Sequence, residues 1–231
     1  MRKLKYFSIS FSILFITELN AQIDLSTTGD GDLRVNRSTA PLREKRVLTS
    51  EESTNLYDEY RTGLIFLRDS SSLKGSLLYD FYEDIVSFRQ ANREHTITSE
   101  LALGFIVFDD SGRVTNVFES VSYPRMNART GFLEVMNEGD FRVLVEREFL
   151  VKSGDYNPAI QVGEGDRVVL KYNYYAGYDE TIYRINSKKA LINIIDVAHV
   201  DDVKSFIRMN KLKFEIKDLI SVANYINRLN K

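Results

Sequence analysis

Apolar and polar positions alternate with a period of two through the middle of the chain. Short apolar runs such as residues 105–108, 132–135 and 141–145 are separated by turn sequences rich in Asp, Asn, Ser and Gly. Alternation marks strands that have one face buried, and the spacing of roughly 8–12 residues between turns is typical of antiparallel β structure. The pattern predicts about nine or ten strands arranged as a meander, a sandwich or an open barrel.

The period becomes helical after Ser187. Apolar residues then recur at intervals of three and four, as in Val203, Phe206 and Ile207. This spacing predicts three amphipathic helices, the first capped by Ser187 and the second capped by Asp201 or Asp202. The left-handed residue that ends the second helix is expected at Asn210. The predicted class is α+β, with the helices packed on the sheet.

The first residues have the three-part order of a signal peptide. Three basic residues precede an uncharged apolar run, residues 6–17, and the small Ala21 follows. The run is too short to cross a membrane, which takes about 20 apolar residues. We expect cleavage between Ala21 and Gln22, and hence an exported protein of the periplasm or the extracellular medium.

Residues 22–60 show no clean period and contain many turn-forming residues. They predict a flexible leader, and residues 49–60 allow a short helix at its end. The predicted organisation is a signal peptide over 1–21, a leader over 22–60, an antiparallel β body over 61–186, and a helical tail packed on the body over 187–231.

Composition excludes several kinds of chemistry. The 231 residues contain no cysteine, so thiol nucleophiles, disulfides and cysteine-ligated zinc are absent. Removal of residues 1–21 changes the net charge from −2 to about −4. This balance provides no long-range attraction for a polyanion, so nucleic acid is not an expected partner. The mature chain has no second apolar run long enough for a transmembrane span.

Two segments resemble a family of exported proteins that is widespread in some Gram-negative bacteria. The residues that carry the likeness are Gly63, Ile65, Leu67, Asp69, Leu73, Gly75, Leu77 and Tyr79 in an opening hairpin, and Val203, Lys204, Phe206, Ile207, residues 210–214, residues 218–220 and residues 225–227 in the tail. The resemblance implies an exported β-rich body with a small helical tail. It implies no activity, because the family is functionally uncharacterised.

Catalytic motifs are sparse. The chain has two histidines, His95 and His199, and neither stands near a Gly-x-Ser-x-Gly nucleophile motif or a second histidine at zinc-ligand spacing. We interpret them as a half-exposed strand residue and a loop residue. The sequence therefore predicts no catalytic residue, no metal ligand and no cofactor.

Acidic pairs leave one enzymatic alternative open. The pairs that could carry out glycoside hydrolysis are Asp109 with Asp110, Glu146 with Glu148, and Asp179 with Glu180. Glu146 and Glu148 would share one strand face at about 7 Å, a separation compatible with an inverting pair. Alternating glutamates on an exposed sheet face are more common than a catalytic pair of glutamates. A carboxylate-based, glycosidase-like hydrolase is thus the alternative function.

Four tyrosines form the densest aromatic stretch of the chain. They are Tyr172, Tyr174, Tyr175 and Tyr178. A tyrosine offers a stacking face and a polar tip, which suits a sugar, a peptide or a partner surface. The more frequent role of strand tyrosines is to cover a sheet edge or the core. The favoured function is a non-catalytic binding or assembly module of the cell envelope, with an unknown protein or glycan partner and these tyrosines as candidate binding residues.

Overall fold

The computed structural model describes residues 54–90, 93–123, 129–152 and 167–230. All of them belong to one compact unit, Ser50–Lys231. The predicted signal peptide, its cleavage site at Ala21 and Gln22, and the predicted leader as far as residue 53 lie outside the described residues.

A single antiparallel sheet forms the body, which confirms the predicted α+β class. Its ten strands in the described residues are β1 (Arg61–Leu67), β2 (Ser72–Asp80), β3 (Ile85–Gln90), β4 (Arg93–Thr98), β5 (Ala102–Phe108), β6 (Val114–Tyr123), β7 (Arg129–Val135), β8 (Arg142–Lys152), β9 (Arg167–Tyr178) and β10 (Thr181–Ile185). Their order across the sheet is β10-β9-β8-β7-β6-β5-β1-β2-β3-β4. Most neighbours are joined by short hairpins, as the turn sequences predict.

The first half of the sheet buries one face in an aromatic core. Phe105 and Phe118 stack with ring centroids 4.5 Å apart, and Tyr79 meets both rings. Asp84, in the β2–β3 turn, accepts hydrogen bonds from the Tyr79 hydroxyl (2.8 Å) and from the backbone N–H of Phe132 (3.1 Å). The turn is thereby fastened to β7, and the sheet curls around this core.

The second half of the sheet buries both of its faces. On one face Tyr123, Leu133, Leu144 and Tyr175 form a small core. On the other face the helices pack on the strands. Val143, Leu144 and Val145 are consecutively buried for this reason, and strict alternation is lost where both sides are covered.

Three helices follow the sheet in the described residues. They are α1 (Lys188–Ile192), α2 (Val200–Met209), which directly follows a 3₁₀ turn, and α3 (Ile216–Leu229). The predicted cap of α1 is confirmed, because the Ser187 Oγ accepts from the Ala190 N–H at 3.1 Å. Their apolar faces pack on Phe141, Val143, Ala176 and Ile185.

The predicted N-terminal cap of α2 is wrong, whereas the helix does end at Asn210, its C-cap, without the predicted left-handed conformation. Asp201 and Asp202 lie inside its first turn, and Asp196 caps the preceding 3₁₀ turn instead. At the other end Asn210 has a φ of −89°, and the left-handed residue is Lys211, with a φ of 51°.

The short helix expected over residues 49–60 is not found in its described part, residues 54–60. Asn55 forms an isolated antiparallel bridge with Asp80, and the Leu56 N–H donates to the Tyr79 carbonyl at 2.8 Å. Leu56 and Tyr57 pack against the aromatic core. Pairing with the β2 strand satisfies backbone groups that a helix would otherwise use internally.

Candidate functional site

The tyrosine segment is a continuous part of β9. The strand runs through Ala176 and Gly177 to Tyr178, so the chain does not turn at the glycine. Tyr172 and Tyr174 lie on the face that the helices cover, and Tyr175 lies on the opposite face. The structure therefore does not bring the four rings together.

Packing differs among these tyrosines. Tyr174 meets Phe214 edge-on at 5.8 Å, and Tyr178 packs against Phe141 at 5.5 Å, both within the helix-covered core. Tyr175 is 1% exposed, whereas Tyr172 is 47% exposed. Of the four candidate binding residues, Tyr172 alone offers an open ring surface.

Glu146 is a buried carboxylate, 7% exposed, on the same face of the sheet as Tyr175. Its Oε1 accepts from the Tyr123 hydroxyl at 3.0 Å, and its Oε2 accepts from the Tyr175 hydroxyl at 2.9 Å. The Asn173 Nδ2 donates to the same Oε2 at 3.1 Å. Donors to both oxygens compensate the lost hydration, so burial of this carboxylate is tolerated.

Glu148 joins this network through Asn173. The Asn173 Nδ2 also donates to the Glu148 Oε2 at 2.8 Å, and its Oδ1 accepts from Arg184 at 3.3 Å. The expectation of two glutamates on an exposed face is thus wrong for Glu146. The structure does bring the pair together, with a single amide nitrogen bridging the two carboxylates.

The other two acidic pairs, Asp109 with Asp110 and Asp179 with Glu180, lie in turns. The Asp109 Oδ1 accepts from the hydroxyl and N–H of Ser111 and from the N–H of Arg113. The Ser111 hydroxyl, followed by the Arg113 N–H, lowers the pKa of Asp109, because both donors favour the charged form. Asp179 and Glu180 have φ angles of 49° and 59°, as a tight β9–β10 hairpin requires.

The histidines occupy unremarkable positions. His95 is exposed in β4, at the edge of the sheet, and His199 is half-buried at the end of the 3₁₀ turn. Within the described ranges, no three His, Asp or Glu residues are grouped so that they could hold a metal ion.

A cleft of about 730 Å³ opens between α1 and α2, and we call it the α1–α2 cleft. Its volume is within the range of about 300–1,000 Å³ that is usual for small-molecule sites. The lining residues are Lys188, Lys189, Ile192, Asn193, Lys204, Ile207, Arg208, Lys211, Leu212 and Lys213. Six of these ten side chains are cationic, none is acidic, and three are aliphatic.

A Schellman motif at the end of α2 builds one side of the cleft. The Leu212 N–H donates to the Ile207 carbonyl at 3.0 Å, and the Lys211 N–H donates to the Arg208 carbonyl at 3.2 Å. This motif brings together the two apolar residues that flank it, here Ile207 and Leu212. The left-handed residue of the motif, Lys211, also lines the cleft.

Most of the cations around the cleft are not neutralised by neighbours. Lys204 is 3.6 Å from Asp201, and both side chains of this pair are largely exposed. Within the described part of the chain, Arg208 and Lys211 form no ion pair with an acidic side chain. The cleft is therefore a concentrated positive field on a protein of negative net charge.

The net charge of the whole chain hides this site, because the acidic residues elsewhere outnumber its cations. A helical pattern could have found it. Lys204, Ile207 and Arg208 stand at i, i+3 and i+4, which places them along one side of α2. The contribution of α1 and of residues 212–213 could not be found in this way, because it depends on how the helices pack.

Comparisons with known proteins add no assignment. No helix within the described residues combines the length and apolar character that crossing a bilayer requires. The chain matches no protein-family model, no curated protein and no solved structure.

Proposed function

We propose that this protein is an exported, non-catalytic binding or assembly module of the cell envelope, and that its α1–α2 cleft binds an anionic ligand. The observation that carries the proposal is the lining of the cleft, which combines six cations with an aliphatic floor and has no acidic side chain. When the charged groups that line a cleft have the same sign and its walls have a low dielectric constant, the electric field is concentrated in the cleft. The local concentration of counter-ions rises as a result.

The composition of the rim favours an oxyanion. Arg208 presents a planar fork that matches a carboxylate or a phosphate, and the lysines Lys189 and Lys211 supply mobile point charges nearby. Several cations around one apolar cavity are costly through mutual repulsion. A bound anion relieves this repulsion, so binding should stabilise the folded protein.

Anion binding is tested by calorimetry with small phosphates and carboxylates. We expect Arg208→Gln and Lys211→Gln to weaken binding by about tenfold each, as the loss of one charge-assisted hydrogen bond requires. Lys217→Gln is the matched control, because Lys217 lies in the same helical tail but does not line the cleft. Equal affinities for the anions in all three variants would contradict anion binding in the cleft.

Export is tested separately. The peptide masses of protein recovered from the producing cell should begin at Gln22, with or without cyclisation to pyroglutamate. Recovery of envelope protein that keeps Met1 would contradict cleavage after Ala21.

A second function, the carboxylate-based hydrolase, draws support from the bridged pair of Glu146 and Glu148. The burial of Glu146 and its donors on both oxygens speak for a structural role instead. Chromogenic glycosides would separate the two functions. Turnover that is lost in Glu148→Gln but kept in Arg208→Gln would favour the hydrolase.

A further inference from the structure

The floor of the α1–α2 cleft is apolar and only half-buried. Ile192, Ile207 and Leu212 line it, and each keeps part of its side chain accessible. A small hydrated anion gains nothing from contact with these side chains. A ligand with a hydrocarbon portion does, because each methylene removed from water contributes to binding.

Charge and apolar surface are segregated within the cleft. The rim cations Lys189, Lys204, Arg208, Lys211 and Lys213 are exposed, whereas the aliphatic side chains of the cleft are half-buried. Long basic side chains keep their charged heads in water while their stems extend the apolar surface. The cleft is therefore amphipathic, with a basic mouth and a hydrocarbon interior.

We propose that the ligand of the α1–α2 cleft is an anionic amphiphile, a molecule with one acidic headgroup and one linear hydrocarbon chain. This inference rests on the proposed function and names the chemical class of the ligand. The headgroup meets Arg208 and Lys211 at the mouth, and the chain lies along Ile192, Ile207 and Leu212. Charge complementarity fixes the sign of the headgroup, and the aliphatic floor requires the chain.

The test uses hexyl, octyl and decyl phosphate as probes, each below its critical micelle concentration, in calorimetric titrations of the purified protein. We expect the affinity to rise by roughly threefold to fourfold for each methylene that becomes buried. Arg208→Gln and Lys211→Gln should lower the affinity for octyl phosphate by about tenfold, and Lys217→Gln should leave it unchanged. Melting curves of the variants confirm that they are folded.

Two further probes separate this inference from the proposed function. Inorganic phosphate that binds as tightly as octyl phosphate would overturn the amphiphile and leave anion binding intact. Octyl glucoside that binds as tightly as octyl phosphate would show that the headgroup charge is irrelevant, and would overturn the inference. If inorganic phosphate and the three alkyl phosphates all fail to bind, the inference falls, and anion binding in the cleft then rests on the carboxylate titrations alone.

Discussion

Burial of a carboxylate in a sheet is tolerated only if hydrogen-bond donors replace the water it has lost. Glu146 has such donors on both oxygens, two from tyrosine hydroxyls and one from Asn173. The tyrosine of the aromatic segment that is buried most deeply, Tyr175, is one of them. Its hydroxyl is thus part of the internal polar network of the protein.

Removal of that hydroxyl should destabilise the fold. We expect Tyr175→Phe to lower the free energy of unfolding by about 1–3 kcal/mol, because the buried Glu146 carboxyl group loses a hydrogen bond. Urea unfolding followed by circular dichroism measures the change. Tyr172→Phe is the control, since Tyr172 is 47% exposed and should change stability by less than about 0.5 kcal/mol. Equal effects in the two variants would contradict the structural role of Tyr175.

Backbone strain and charge can be separated at Lys211. We expect Lys211→Gly to raise the free energy of unfolding by about 0.5–1 kcal/mol, because glycine adopts the left-handed conformation without a Cβ penalty. The greater entropy of the unfolded glycine variant offsets part of this gain, and the figure includes that loss. Lys211→Gln should leave stability nearly unchanged. Both variants should bind octyl phosphate more weakly than the parent. A stability gain in Lys211→Gln instead would mean that charge repulsion, not φ, is the source of strain.

The Asn227 amide hydrogen-bonds helix α3 to the β7–β8 turn. The Asn227 Oδ1 accepts from the Phe141 N–H at 2.8 Å, and its Nδ2 donates to the carbonyls of Phe141 (2.9 Å) and Glu138 (3.0 Å). Gly139, with a φ of 116°, leaves room for this amide, because a Cβ there would lie 2.4 Å from the Asn227 Nδ2. The β7–β8 turn and α3 are therefore fitted to each other.

Loss of this amide should weaken the contact between helix and sheet. We expect Asn227→Ala to lower the free energy of unfolding by about 1–3 kcal/mol, because backbone groups of the turn lose their partners. Asn224→Ala in the same helix is the matched control, since Asn224 is exposed. Thermal and urea unfolding of both variants give the comparison. Alanine has the higher helix propensity, so Asn224→Ala should be neutral or slightly stabilising. A drop of the same size in Asn224→Ala would contradict the specific role of the Asn227 contact.

At the scale of the whole molecule, the helical tail completes the core of the sheet. Phe141, Val143, Ala176 and Ile185 are buried against it, together with Leu219 and Ile226 from α3. Burial of each large aliphatic or aromatic side chain contributes about 1.5–3 kcal/mol. The sheet cannot keep this face exposed to water without a large loss of stability.

Truncation at Ser187 tests the point. We expect a 22–187 fragment to be insoluble or molten. A molten fragment should bind a hydrophobic dye and should show no cooperative melting transition. The full-length mature protein should melt cooperatively under the same conditions. A soluble fragment with a sharp transition would show that the tail is an appendage.

Local patterns in the sequence were enough for the class and for many of the elements. Period-two alternation located the strands, helical spacing located the tail, and Ser187 was identified as a cap, since each of these features depends on residues close together in the chain. Helix α2 ends at Asn210, as predicted, but the left-handed residue is the next one, Lys211, because the Schellman motif has that conformation one residue beyond the cap.

The alternation predicts which residues share a face of the sheet, but it does not predict which face is covered by other elements. Alternation puts Tyr172 and Tyr174 on one face of β9 and Tyr175 on the other, as the structure has them, yet their different burial depends on the helices and on the curl of the sheet. The burial of Glu146 has the same origin. The α1–α2 cleft is assembled from two helices and the loop after them, so its cations come close together only in the folded protein. Contacts between distant segments decide coverage and charge clustering, and no local period encodes them.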